Sequence, residues 1–427
     1  MYSDQGAQES GSDEPERITR GWRTPLIKRA PRSYAAQTMY KFVPFSSRLG
    51  VKKRSALFAG AIVFSLLFAL PLSLASAFSG NFYTKSNLVS DTPGVAATLD
   101  PNLVNPWGLS HSPTGPWWIS DNNAGNSAIY TGGGTAVAPA VSIPSPSGEE
   151  SAGTPTGNVF NKVAVSKPQA FVVKQGSTEG PSNFMFATED GTIAGWNKNV
   201  AGAHAVIAVD RSAATDAQGD IGAVYKDLAF GSHGDQQYIY ATNFRFGTVE
   251  MFDEHFNLVK SFTDPQIAST CPVQGQCYAP FGIQNIHGDL YVTFALQNSE
   301  KHDDQSGAGN GFVDVFRSDG TLQKRLIAHG SLNSPWGVAL APHDFGSASK
   351  HLLVGNFGDG TIDVYDTNTG GFDGQLKDQQ GKPIQVDGLW GLAFGNNGQA
   401  GKKNELFFSA GIGDESHGVF GKITKNY

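Results

Sequence analysis

The run Lys301-His302-Asp303-Asp304 sets an imidazole beside two carboxylates, residue types that ligate a divalent ion or pass a proton. It lies within QNSEKHDDQSGAGNG (297–311), a polar stretch where the same residues also serve a solvated loop. His302, Asp303 and Asp304 are therefore the candidate catalytic group. A second set is aromatic: Trp107, Phe281, Trp336 and Trp390, each directly before a glycine. Asn122, Asn243, Asn356 and Asp359 stand in turn-rich hairpin segments. Aromatics with amides and carboxylates can bind a sugar or a polar metabolite, although these residue types also pack blades and make turns. A third set is Asn105, Asp227, Asn333 and Asp387, oxygen donors suited to Ca²⁺ or another divalent ion. The chain holds no G-x-S-x-G elbow, H-E-x-x-H, P-loop or dinucleotide fingerprint, so those chemistries are excluded.

The elements that must position these residues repeat along the chain. Pro-aromatic-Gly-aliphatic occurs at Pro106–Leu109, Pro280–Ile283 and Pro335–Val338, with Leu389-Trp390-Gly391-Leu392 as a variant. Pro168-Gln169-Ala170-Phe171 and Tyr225-Lys226-Asp227-Leu228 read as degenerate copies. After each comes a hairpin of short β-branched and aromatic runs split by Gly, Asn and Asp, as in LLVGNFGDGTIDVY. Six copies at about 50–60 residues each imply radial repetition of four-stranded sheets, which leaves few exposed edges. The expectation is an all-β, six-bladed propeller over 81–427. The last repeat lacks a fourth run, whereas Phe82–Val89 precedes the first repeat unassigned. That run is expected to complete the last blade and close the ring. In a propeller, the segments leading into the innermost strands and the loops between second and third strands share one face. The aromatics, the segment 297–311 and the loops with Asp121-Asn122-Asn123, Glu189-Asp190 and Asp414-Glu415 should meet there.

Upstream the composition changes. Residues 1–54 carry eleven Lys/Arg against five acids and show no apolar period, so this segment is expected to be disordered. Residues 55–77 are apolar and end Ala75-Ser76-Ala77, as a secretory signal does. An uncleaved anchor over 56–77 is the rival, and either way the downstream part is exported. Met39 offers an alternative start. The remaining 78–427 holds 20 Lys/Arg and 33 Asp/Glu. Nucleic acid is excluded as a partner, because binding its backbone needs an excess of cations. The membrane is reached only through 56–77, and a monomer is expected. Cys271 and Cys277, in CPVQGQC, are expected to form a disulfide in an exported protein.

At NLVSDTPGVAATLDPNLVNPWGLS (87–110), KHDDQSGAGNGFVDVF (301–316), SPWGVALAP with LLVGNFGDGTIDVYD, and DGLWGLAFGNNG with LFFSAGIGDESHGVFGKI, the chain resembles one family. It is similar to the exported propeller proteins first catalogued from bacteria that use the PEP-CTERM sorting signal. The resemblance covers about 80–427 and implies a six-bladed propeller like NHL-repeat domains, with no activity to carry over. This chain departs from many relatives in having no sorting tail before Tyr427. The leading expectation is an exported or membrane-tethered binding scaffold for a small molecule, glycan or protein. The alternative is a metal-dependent hydrolase similar to propeller lactonases, its ion held at the channel mouth.

Overall fold

A computed structural model describes residues 82–146 and 148–426. The basic segment 1–54, Met39 and the apolar stretch 55–77 lie outside the described residues. Among those described, two helices of four residues each accompany the strands. Six blades form, five of them four-stranded antiparallel sheets and the last a sheet of five strands in which Thr98–Leu99 pairs parallel to Tyr83–Ser90. Their innermost strands are Pro106–His111, Pro155–Phe160, Tyr225–His233, Tyr278–Ile286, Pro335–Leu340 and Leu389–Phe394. Each packs against the next and the last against the first, so the six surround an axis.

The repeated motif follows from the shape of these strands. Pairing with the second strand skips two residues between Pro106 and Leu109, and likewise between Pro280 and Ile283, Pro335 and Val338, and Leu389 and Leu392. The skipped pair, aromatic then glycine, is a bulge that turns the aromatic over the axis. The glycine is required by close approach: a Cβ at Gly108 would lie 2.6 Å from Thr156 O, and one at Gly337 2.5 Å from Trp390 O. Between blades the core consists of side chains from facing sheets. One such layer joins Trp117, Tyr130, Phe407 and Phe420 across the first and last blades.

The second blade differs from the sequence expectation. Its innermost strand is Pro155–Phe160, opening Pro155-Thr156-Gly157-Asn158, and not the segment at Pro168–Phe171. Thr156 and Asn158 replace the aromatic and the aliphatic residue, which hides the motif. Phe171 instead belongs to an excursion carrying the hairpin Val172–Gln175 and Thr178–Pro181. It is fully buried and packs edge-on against Phe230 of the third blade.

The ends meet as expected. Tyr83–Ser90 pairs antiparallel with Val419–Lys425, Tyr83 opposite Lys425 and Ser90 opposite Val419. The last sheet is thus built from both ends of the described chain. Tyr83 is buried, donates its hydroxyl to Phe345 O at 2.8 Å and accepts from Ala348 N at 3.1 Å. Residues 297–311 form the long connection between Asp289–Leu296 and Phe312–Arg317, and Cys271 is bonded to Cys277.

Val89 is fully buried opposite Phe420. Val89→Asp should lower unfolding stability by on the order of 3 kcal/mol, since the closing strand would bury an unpaired charge. Lys85→Ala on the same strand, with its ammonium at the surface, should shift stability by no more than about 0.5 kcal/mol. Denaturant unfolding of the two variants checks this, and equal midpoints would disprove ring closure by this strand.

Candidate functional site

The second residue of each opening motif reaches the axis: Trp107, Thr156, Lys226, Phe281, Trp336 and Trp390. The aromatics seal the channel. Trp107 stacks on Trp390 with ring centroids 3.5 Å apart, and Trp336 meets both edge-on at 6.2 and 5.8 Å. Phe281 packs against Trp390 at 5.8 Å, and Phe357, from a hairpin of the fifth blade, stacks on it at 4.0 Å. None of Trp107, Phe281, Trp336 and Trp390 is more than 4% exposed. Their faces meet one another rather than a ligand.

Lys226 occupies the aromatic column in the third blade. Its side chain is 1% exposed and its ammonium lies 5.1 Å from the centre of the Trp107 ring and 5.9 Å from that of Phe244. A buried charge must be paired. Glu189 accepts from Lys226 Nζ in a close contact, and Asp303 Oδ1 stands 3.4 Å away. Burial alone would lower this ammonium's pKa, but Glu189 and then Asp303 outweigh it and hold the group above its ordinary value. Lys226 is therefore a fixed cation.

Carboxylates from three blades gather around it. Glu189 comes from the loop after Phe184–Thr188 and also accepts from Asn122 Nδ2 at 2.9 Å. Asp303 and His302 come from the 297–311 loop, with His302 Nδ1 2.8 Å from Asp303 Oδ1 and 3.9 Å from Glu189 Oε1. Burial opposes ionisation of Asp303, but the His302 hydrogen bond and the Lys226 charge prevail and hold it well below the usual range. Ligand atoms of Glu189, His302 and Asp303 all lie within 4.8 Å of one another. Glu415, from the sixth blade, is pushed up to about 7 by burial and by the Glu189 charge. Asn105 donates to it at 2.9 Å and accepts from Trp390 Nε1 at 3.1 Å, tying the acid to the aromatic seal. Asn105, Asp414 and Glu415 have φ of 49°, 52° and 62°. Such left-handed backbone in non-glycine residues costs on the order of 1–3 kcal/mol each and concentrates at working sites.

The remaining candidates are spread out. Asp304 sits beside Asp303 and accepts from Ser306 at 3.2 Å, with its carboxyl raised by burial. Asn243 donates to Glu250, and Asn356 to Asp363 and Thr361, inside their own blades. Asp359 accepts from Thr361 N within its turn. Asn105, Asp227, Asn333 and Asp387 engage four separate partner sets: Glu415 with Trp390, Leu228 N with Ile283 N, Gly307 N with Asp359, and Gly413 N. Sequence reading passed over Lys226 as part of a degenerate repeat. The signal was available, since a lysine in a column that is aromatic in four of the six blades is a charge at a buried position.

Lys226→Met should cost about 3–5 kcal/mol by removing the counter-charge of the largely buried Glu189, and adding Glu189→Gln should recover much of it. Thermal melts of the single and double variants check this; an additive pair would refute the coupling. Glu415 titrates at a raised value in the folded protein, so its contribution to stability is complete below its ordinary 4.5 and lost as pH rises through about 7. Glu415→Gln should therefore gain on the parent protein between those pH values, as unfolding measured across that window would show.

No family model matches the chain. Two uncharacterised proteins of Acanthamoeba polyphaga mimivirus are similar to it. One is 29% identical over 342 residues, covering 79% of each chain, and the other 28% identical over 344 residues, covering 79% of this chain and 85% of that one. Among solved structures, virginiamycin B lyase from Staphylococcus aureus is 12% identical with a TM-score of 0.45, over 80% of this chain and 98% of that one. The soluble aldose sugar dehydrogenase from Escherichia coli is 11% identical with a TM-score of 0.47, over 81% of this chain and 100% of that one. The lyase and dehydrogenase chemistries belong to those proteins.

Proposed function

We propose that this chain is an exported or membrane-tethered propeller, akin to the exported family its motifs resemble, that works as a binding scaffold. Its recognition face is the acidic mouth of the channel, and its partner is a small molecule or protein presenting a cationic group. The observation that carries this reading is the arrangement at the axis. The rings are sealed below, so an arriving ligand meets Glu189, Asp303 and Glu415, of which Asp303 is 54% exposed. One ammonium, that of Lys226, is already held there by two of these acids. Sugar stacking on Trp107, Trp336 or Trp390 has little support, because those faces are covered.

The metal-hydrolase reading keeps one observation in its favour, the closeness of Glu189, His302 and Asp303. Against it, two of these three prospective ligands already accept from Lys226 Nζ, so a metal bound through all three would have to displace that ammonium, whereas an organic cation can pair with the exposed side of Asp303.

Calorimetric titration of the full chain with spermidine, and separately with Ca²⁺, Mg²⁺ and Zn²⁺, tests the choice. Spermidine should bind, weaken as salt rises, and lose tenfold or more in affinity in Asp303→Asn combined with Glu415→Gln. Failure of spermidine to bind would sink the proposal. Chelator-sensitive turnover of lactones or phosphoesters would replace it with the hydrolase.

A further inference from the structure

Below the seal the channel reopens on the opposite side as a cavity of about 190 Å³. Its walls include the aliphatic residues that follow the bulges, Leu109, Leu228, Ile283, Val338 and Leu392, together with polar side chains such as Asn158 and Gln284. Asp227 also lines it, directly beneath the aromatic seal. This residue takes the place that glycine holds in the other five opening motifs, at Gly108, Gly157, Gly282, Gly337 and Gly391. The third blade therefore puts a carboxyl where the others have only a hydrogen.

Asp227 is 9% exposed. Its Oδ1 accepts from Leu228 N and its Oδ2 from Ile283 N, both at 2.8 Å. Those amides favour the charged form but do not neutralise it, and among the described residues no Lys, Arg or His pairs with it. Lys226, its neighbour in sequence, sends its ammonium to the other side of the seal, toward Glu189. Lys162 and His111 line the same cavity, but neither forms an ion pair with Asp227. Burial pushes the carboxyl up to about 8 against the pull of the two amides, as expected of an acid without a counter-charge. The mouth shows how this protein satisfies a carboxylate beside the axis, namely with an ammonium. Asp227 has the carboxyl and lacks the ammonium; with burial holding it at about 8 it is largely protonated near neutral pH, and a bound ammonium would draw it into the charged form.

We propose that the lower channel is a binding site for a small primary amine with a hydrocarbon or aryl body. The ammonium pairs with Asp227 and the body fills the apolar walls below. The volume fits a single-ring compound, since a cavity of roughly 150 Å³ takes benzene. A bare divalent ion is disfavoured, because hard cations need several oxygen ligands and Asp227 is one carboxylate flanked by N–H donors. A carboxylate ligand would face Asp227 directly. This site lies on the other side of the seal from the mouth and does not rest on the function proposed for it.

The test is calorimetric titration of the full chain with 2-phenylethylamine, 2-phenylethanol and phenylacetate. The amine should bind at least tenfold more tightly than the alcohol, and phenylacetate should bind more weakly than either. Asp227→Asn should weaken the amine tenfold or more while sparing the alcohol. Val338→Phe, at an apolar wall away from the carboxyl, should abolish binding of both and keeps the proposal testable if Asp227→Asn fails to fold. An amine can also meet the acids of the mouth, so every titration is run in the background of Asp303→Asn with Glu415→Gln, which removes that second site and leaves only binding in the lower channel. The proposal is overturned if amine and alcohol bind alike, or if Asp227→Asn or Val338→Phe binds the amine as the parent does.

Discussion

Sheets set around an axis hold together only if the ring has no loose seam, and here the seam is the pairing of Tyr83–Ser90 with Val419–Lys425. Each blade packs one face on its predecessor and one on its successor. An unjoined last blade would leave both its third strand and the facing layer of Trp117, Tyr130 and Phe420 open to water. Supplying the fourth strand from one end of the described chain and the first three from the opposite end makes the joint depend on backbone pairing. The six innermost strands are then held at a spacing set by the closest approach of their backbones. The glycines of the opening motifs mark those approaches.

Once the ring is closed, its axis must be filled. Four large aromatics do most of this, and Lys226 replaces the aromatic of one blade with an ammonium over the face of Trp107. That substitution has a chain of consequences. A buried cation draws in Glu189 and Asp303, and the 297–311 loop must fold over the mouth to bring Asp303 close. Burial, and then the nearby negative charge of Glu189, raises Glu415. Asp227, the next residue, breaks the glycine rule on the other side of the same seal. Two adjacent departures from one repeat thus endow both ends of the channel with charge, and the aromatic layer keeps them apart.

Much of the fold was legible because repetition is a one-dimensional signal. Opening motif and hairpin recur in order, so blade number, the closing strand and the outsized loop at 297–311 could all be read from the chain. The second blade was placed wrongly for a physical reason. Its innermost strand has Thr156 and Asn158 where the pattern wants bulk, and Asn158 turns inward to bond Gly108 O and Ser120 Oγ. Phe171, buried at φ 55° in an excursion, offered the expected bulk in the wrong place.

The site was legible only in part. Residue types at His302 and Asp303, the loop acids and the axial aromatics were visible in the chain, and so were the two cysteines. Which of them touch was not, because Glu189, Lys226, Asp303 and Glu415 are contributed by four blades and lie far apart in sequence. Local sequence determines strands, turns and the repeat, since those depend on neighbours along the backbone. Whether an aromatic faces a ligand or another ring, and whether a carboxylate finds a cation, depends on distances across the axis that exist only after the ring has closed.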